Sequence, residues 1–334
     1  MRAAVFPSGL PRRLLLTRRD VLSAGLAALA APALARAAGP VAVLAGAAFG
    51  TGWRVTLPAG RHVDVHRGAI EALLASLDAA LSPWRPDSAV SRFNAAAAGG
   101  RPVPQSTLRV TRAALDIARA SAGCFDPTVG PLVARWGFGP IAGDAAARWT
   151  GVRVDGGHLV KEDDGLTLDL CGIGKGHALD RMAELLVERG EADFLVDLGG
   201  ELLARGRHPS GRNWTVAVED PRADRPDGMA AAVLRLNGEA VATSGTRRQG
   251  YDLGGRRISH IIDPRRRAPR QGRLEQVSVV AADAMTADGW ATALMAAGAT
   301  EGPALARRAG INALFVLADE PAPVMTGSFA ARLV

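Results

Sequence analysis

Apolar residues in this chain switch between a period of two and a period near 3.6. From Val41 to Leu57 the pattern is strand-like, broken by Gly46, Gly50 and Gly52. Apolar positions 70, 73, 74, 77 and 81 then predict a helix that stops at Ser82-Pro83. Ser88 to Asn94 is polar, a short loop or one turn of helix. A second helix is expected over about 107–121, and Gly123 to Pro140 fits no period and reads as an ordered loop with room for one helical turn. Leu166 to Leu170 alternates as a strand. A glycine turn follows at Gly172, Gly174 and Gly176, and then a helical stripe of Ala178, Leu179, Met182, Leu185 and Leu186.

Further along come β-like runs at Phe194–Leu198, Trp214–Val218, Ala231–Leu236, Ala240–Thr243, Arg257–Ile262 and Gln276–Ala281. Thr286–Ala297 is helical, Asn312–Leu317 is a strand, and the tail has the composition for one more. Strands cluster without a regular strand–helix alternation, so the expected class is α+β rather than a doubly wound sheet. Arg222 to Gly228, charged and proline-containing, reads as an exposed loop. No internal repeat is visible.

Charge changes the reading of the N-terminus. The formal net charge is +7, but residues 1–37 carry six arginines and one aspartate, so the rest is close to balance. That balance, with no basic stripe interleaved with aromatics, gives nucleic-acid binding no support. Thr17-Arg18-Arg19-Asp20-Val21-Leu22 is a twin-arginine sequence. An Ala/Leu-rich stretch to Leu34 and small residues ending Ala35-Arg36-Ala37 follow it. The expectation is a twin-arginine signal peptide over 1–37, cleaved near Ala37, ahead of a domain over 38–334 that works in the periplasm. The apolar stretch is too short for a stable membrane span, and no cysteine near the cleavage site offers a lipid anchor. The two cysteines, Cys124 and Cys171, have no framework spacing; export leaves a disulfide between them open.

Strand, glycine turn and helix is a way to aim backbone N–H groups at an anion. The turn carries Lys175, and only two of the 40 basic residues are lysine. A lysine kept in an arginine-rich chain points to a compact ammonium at phosphate, or else to an exposed residue of an ordinary connection. It is not a Walker A loop, because Gly176 follows Lys175. Asp288 and Thr292, four apart on an expected helix, share a face and offer oxygen ligands of the kind Mg2+ takes; an aspartate there also suits the helix dipole. In ISHIIDP the alternation puts Ser259, Ile261 and Asp263 on one face and His260 and Ile262 on the other. His260 is a candidate base, or a structural histidine. Thr243-Ser244-Gly245 ends a strand. Gly123 to Gly139 suits a loop around a planar ligand, and Trp84 could stack on a flat ring.

Taken together and in this order, these segments resemble the ApbE family of FAD:protein FMN transferases. The resemblance spans about residues 44 to 320. It is carried by SPWRPDSAVSRFN, GCFDPTVGPLVARWGFG, LDLCGIGKGHALD, DLGGELLARG, ATSGTRR, SHIIDP and VSVVAADAMTADGWATALMAAG. It implies an α+β, T-fold-like architecture with antiparallel-rich mixed sheets, packed helices and FAD in a cleft between sub-domains. It implies Mg2+-dependent transfer of FMN from FAD to a Thr or Ser hydroxyl of an exported flavoprotein, with release of AMP; respiratory ion-pump subunits and regulators of nitrous-oxide respiration are acceptors of that type.

Matched motif to motif, the resemblance implies flavin contacts from Phe49 and Trp84, and an FAD site lined by Cys124, Phe125 and Asp126. Asp169 and Lys175 would contact FAD from the glycine turn, and Ile262 through backbone or packing. Mg2+ would be held by Asp288, Thr292 and a carbonyl near Gly172. His260 or Asp263 is the candidate base. Phe49 stands where many members have Met, and Cys171 and His177 stand where Gly and Tyr are common. Thr246 stands where an acidic or different polar residue is frequent, and Arg265-Arg266-Arg267 replaces a turn that usually contains Thr-Gly. Two other functions fit the same residues: a Mg2+-dependent FAD pyrophosphatase, with water in place of the acceptor, and a non-catalytic flavin carrier.

Overall fold

A computed structural model describes residues 40–334, except 223–229 and 248. The expected signal peptide and most of the Arg222–Gly228 loop lie outside the described residues. Eight strands form the main sheet: β1 (Val41–Ala48), β2 (Thr51–Pro58), β3 (Phe194–Leu198), β4 (Glu201–Arg205), β5 (Glu239–Gly245), β6 (Leu274–Ala281), β7 (Asn312–Leu317) and β8 (Val324–Thr326). Their spatial order is their chain order, and every neighbouring pair is antiparallel. The expected α+β class is therefore borne out. The sheets are less mixed than expected, because all ladders between described strands are antiparallel.

Among the described residues six α-helices are inserted between strands: α1 (Arg67–Leu81), α2 (Ala89–Ala95), α3 (Gln105–Ala120), α4 (Gly130–Arg135), α5 (Gly174–Glu188) and α6 (Ala284–Ala309). The sheet is covered on both faces. Strand alternation sends Ala242, Val277, Val279, Ala313 and Phe315 into a core with α3 and α6. Trp53, Val55, Leu57, Phe194 and Val196 pack under α1 and α5. On the opposite face Val241, Val280, Leu314 and Val316 meet the Trp214–Glu219/Ala230–Leu236 hairpin. This double cover explains why β6 is buried along nearly its whole length rather than on alternate residues, Gln276 and Ser278 included: both of its faces are dry.

Two strand expectations fail. Leu166–Leu170 forms no strand. Its backbone groups are satisfied by a side chain: Leu168 N–H donates to Asn94 Oδ1 at 2.7 Å, and Asn94 Nδ2 donates to the Leu168 carbonyl at 2.9 Å. The Asn94 amide stands in for a neighbouring strand, and Asp169 N–H goes to the Pro127 carbonyl at 2.7 Å. The run in ISHIIDP is also interrupted. One strand ends at Ser259 and a two-residue pairing starts at Ile262, so Ser259, Ile261, Ile262 and Asp263 are all buried rather than alternating. The polar stretch before Asn94 is helical, capped by Ser88 Oγ accepting from Ser91 N–H at 3.0 Å. The helix expected over Thr286–Ala297 runs to Ala309, with a break at Gly298, whose φ is 85°. Cys124 and Cys171 are not bridged.

Candidate functional site

The site is built where α5 meets α6. Asp283 caps α6 through Thr286 N–H at 2.8 Å. Asp180 of α5 accepts from Ala284 N–H at 2.7 Å and Met285 N–H at 2.9 Å, tying α5 to the α6 N-terminus. The two backbones approach so closely at Gly176 that a Cβ there would lie 2.2 Å from the Ala284 carbonyl oxygen. Only glycine permits this, and the approach lets Gly176 N–H donate to Asp288 Oδ2 at 2.9 Å. Asp288 is buried, and burial raises its carboxyl above the usual range while the charge of Lys175 pulls it back.

One turn along α6, Thr292 Oγ1 donates to the Gly172 carbonyl at 3.1 Å and lies 3.3 Å from Ser244 Oγ, at the end of β5. The Asp288 carboxylate, the Thr292 hydroxyl and the Gly172 carbonyl thus come from two chain segments to one place. An octahedral Mg2+ with ligands at about 2.1 Å sets adjacent ligand oxygens about 3.0 Å apart. The Thr292–Gly172 spacing fits that, and the donor set is all oxygen. Among the described residues no group of three or more His, Cys, Asp or Glu is arranged to hold a metal; this cradle has a single carboxylate.

Lys175, on the first turn of α5, forms an ion pair with Glu201 Oε1 at the start of β4. Glu201 is 2% exposed, its second oxygen has no hydrogen-bond partner among the described residues, and burial pushes its carboxyl up to about 7. The tight turn before it has positive φ at Gly199 and Gly200 (67° and 102°), with Gly200 N–H on Asp197 Oδ1 at 3.0 Å. The other lysine is structural: Lys161 is buried and donates to the carbonyls of Asn94, Asp164 and Leu166 at 3.0, 2.9 and 3.0 Å.

The remaining expected residues surround this centre at different depths. Phe125 is buried, its ring edge 3.2 Å from where a Cβ on Gly172 would stand. Asp126 is buried and occupied, accepting from Thr128 N–H at 2.8 Å, Thr128 Oγ1 at 2.6 Å and Trp149 N–H at 3.4 Å. Cys124 is buried, which pushes its thiol up to about 11 and keeps it unreactive. Asp169 accepts from Cys171 N–H at 2.9 Å, closing the turn. Phe49 sits in the β1–β2 turn. Gly199 N–H donates to the Gly52 carbonyl at 2.9 Å, which places that turn beside the one leading to Glu201. Trp84 is 64% exposed on the segment between α1 and α2. Its link to the centre is indirect: Ser91 Oγ donates to the Pro83 carbonyl at 3.5 Å, and Asn94 braces Leu168.

His260 is half-buried. Its Nδ1 lies 3.1 Å from the Gln249 carbonyl; a carbonyl only accepts, so Nδ1 carries the proton and Nε2 keeps its lone pair. Burial lowers its pKa, and the Lys175 charge lowers it further, so the ring is neutral at neutral pH. Phe138 holds the ring edge-on at 6.2 Å and stacks on Tyr251 at 5.4 Å. Asp263 is differently placed. It is buried and accepts from Arg265 N–H at 3.0 Å, with Arg265 and Arg266 side chains against it. Arg265 in turn pairs with both oxygens of Glu301 on α6, at 2.7 and 2.9 Å. The arginine run is thus a built turn that occupies Asp263, and Ile262 is buried next to it.

Sequence reasoning did not single out Glu201 as a site residue and gave Ser244 no role at the metal. Both lay within quoted segments, DLGGELLARG and ATSGTRR. The available signal was a carboxylate directly after a Gly-Gly turn.

A model of the ApbE family matches residues 49–315. A protein of Salmonella typhimurium named FAD:protein FMN transferase is 36% identical over 313 residues, covering 87% of this chain and 88% of that one. One of Escherichia coli K12 with the same name is 35% identical over 303 residues, covering 84% and 85%. Among solved structures, the flavin transferase ApbE from Vibrio cholerae superposes with a TM-score of 0.78 at 30% identity, covering 88% of this chain and 100% of that one. The apo form of the Pseudomonas stutzeri flavinyl transferase ApbE gives 0.78 at 33% identity, covering 88% and 97%.

Proposed function

This chain belongs to the ApbE family, and from that premise we propose that it is a Mg2+-dependent FAD:protein FMN transferase. It moves the FMN moiety of FAD to a Thr or Ser hydroxyl of an acceptor protein and releases AMP. The observation that carries this reading is the convergence of Asp288, Thr292 and the Gly172 carbonyl next to Lys175. Bound there, Mg2+ would supply charge neutralisation and polarisation at the pyrophosphate.

The chain's own residues account for the remaining steps. Asp288, Thr292 and the Gly172 carbonyl would hold the metal. Ser244 orients the Thr292 hydroxyl. Lys175 adds a fixed positive charge where charge builds up in phosphoryl transfer. His260 Nε2 takes the proton of the attacking hydroxyl, whose oxygen bonds to the FMN phosphorus as the bond to the AMP oxygen breaks. Asp263 is already engaged by arginines, which leaves His260 the more available of the two.

The acceptor is an exported flavoprotein of the respiratory-subunit or nitrous-oxide-regulator type, and the enzyme reaches it in the periplasm through the twin-arginine route. Residues 17–37 support that placement, and among the described residues no helix is long and apolar enough to cross a membrane. Cell fractionation tests it: mature chain retained in the cytoplasm sinks the placement. Incubation with FAD, Mg2+ and an acceptor carrying a flavinylation site tests the reaction. Protein-bound FMN is expected. Free FMN and AMP alone would make the protein a pyrophosphatase, and unchanged FAD a carrier.

A further inference from the structure

The Lys175–Glu201 pair is unusual for its asymmetry. The lysine side chain is 32% exposed and the glutamate side chain 3%. A carboxylate so buried loses much hydration, and one of its oxygens, Oε2, has no hydrogen-bond partner among the described residues. The arrangement persists because the fold fixes it from both sides. Glu201 follows a turn held by Gly199, Gly200 and Asp197. Lys175 precedes Gly176, whose N–H is docked on Asp288. The ammonium is thus paired with a buried carboxylate of β4, and its charge reaches the buried carboxylate of Asp288 on α6. Both feel its charge, which pulls their pKa values down against burial.

We propose that Glu201 is a positioning residue for flavin transfer: a buried carboxylate that fixes the Lys175 ammonium beside the Asp288–Thr292–Gly172 cradle, where the donor's pyrophosphate is handled. A lysine has a long, flexible stem, and without a partner its charge would spread over many rotamers and reach bulk water. Glu201 restricts it to one region beside the cradle. This rests on the flavin-transfer reading, and it assigns Glu201 a task that acts entirely through Lys175.

A mutant cycle tests that dependence. Wild type, E201A, E201Q, K175A and the double variants E201A/K175A and E201Q/K175A are compared in two assays: FAD affinity from quenching of flavin fluorescence, and FMN transfer to an acceptor protein. K175A is expected to lower kcat/KM for FAD tenfold to a hundredfold and to weaken FAD affinity. E201A is expected to lower kcat/KM at least tenfold, and E201Q, which keeps an acceptor oxygen but not the charge, by less. The decisive result is that each double variant matches K175A within twofold in both assays.

Independent, multiplying losses would overturn the proposal, as would E201A and E201Q behaving as wild type. Recovery of E201Q activity by excess Mg2+ would overturn it too, by making Glu201 a metal ligand. Should E201A fail to fold, the E201Q arm of the cycle decides. Should wild type bind FAD yet transfer no FMN, the function reading fails alone, because the affinity cycle still reports whether Glu201 acts through Lys175.

Discussion

The hydroxyl of Thr292 donates to the Gly172 carbonyl at 3.1 Å, across 120 positions of sequence. That bond registers the glycine turn against α6, so that Asp288, one helical turn earlier, faces the same turn. Two residues spaced for one helix face thus become part of a three-oxygen cradle through a tertiary contact.

Replacing Asp288 by Asn keeps the volume and the acceptor for Gly176 N–H, and removes the single carboxylate of the cradle. FMN transfer should fall more than about a hundredfold while FAD still binds, because Mg2+ needs hard anionic oxygen. Transfer rate against Mg2+ concentration and FAD fluorescence titration check this. Unchanged transfer at limiting Mg2+ would remove Asp288 from the metal site.

His260→Ala should reduce kcat by about 10²- to 10⁴-fold, the usual contribution of a general base, with FAD affinity within a few fold of wild type. The ring touches Phe138 and Gln249 and holds no part of the cradle. A loss confined to FAD affinity would make His260 a binding residue instead.

Gly176→Ala places a methyl group 2.2 Å from the Ala284 carbonyl and 2.8 Å from Asp288 Cβ. The first of these atoms is helix backbone and cannot swing aside. Destabilisation of about 1–3 kcal/mol or more is expected, together with weaker Mg2+ dependence as α5 and α6 separate. Thermal melting with and without Mg2+ reads both; a melt equal to wild type would show that the two helices can part at no cost.

His177 is buried, its Nε2 lacks a partner among the described residues, and burial lowers its pKa from 6.5 to about 4. The unfolded chain takes up a proton near pH 6.5 that the folded chain refuses until about pH 4. Its contribution to stability is therefore complete above 6.5 and is lost as pH falls toward 4. At pH 5 the loss is about 2 kcal/mol, because each pH unit crossed in that window removes about 1.4 kcal/mol. His177→Phe should shrink the drop in melting temperature between pH 7.5 and pH 5 by about 4 °C. An identical drop in the variant would show that His177 does not titrate in this range.

The sequence by itself determined what depends on near neighbours. The bounds of Phe194–Leu198 and Asn312–Leu317, the glycine turn leading into α5, and the shared helix face of Asp288 and Thr292 all follow from side-chain period and turn chemistry. The resemblance carried by seven ordered segments settled the family. Tertiary structure decided whatever depends on partners far along the chain. Leu166–Leu170 has strand alternation but no ladder, because the Asn94 amide, 74 positions away, takes its hydrogen bonds. Asp263 looked available as a base, and Arg265, held by Glu301 on α6, takes up one of its oxygens. Nothing in the local pattern singled out Glu201, and folding buries it against Lys175. Periodicity records which face a residue is on. Which charge or carbonyl stands opposite is set by long-range packing, and at this site that packing positions the metal cradle, the ammonium and the base.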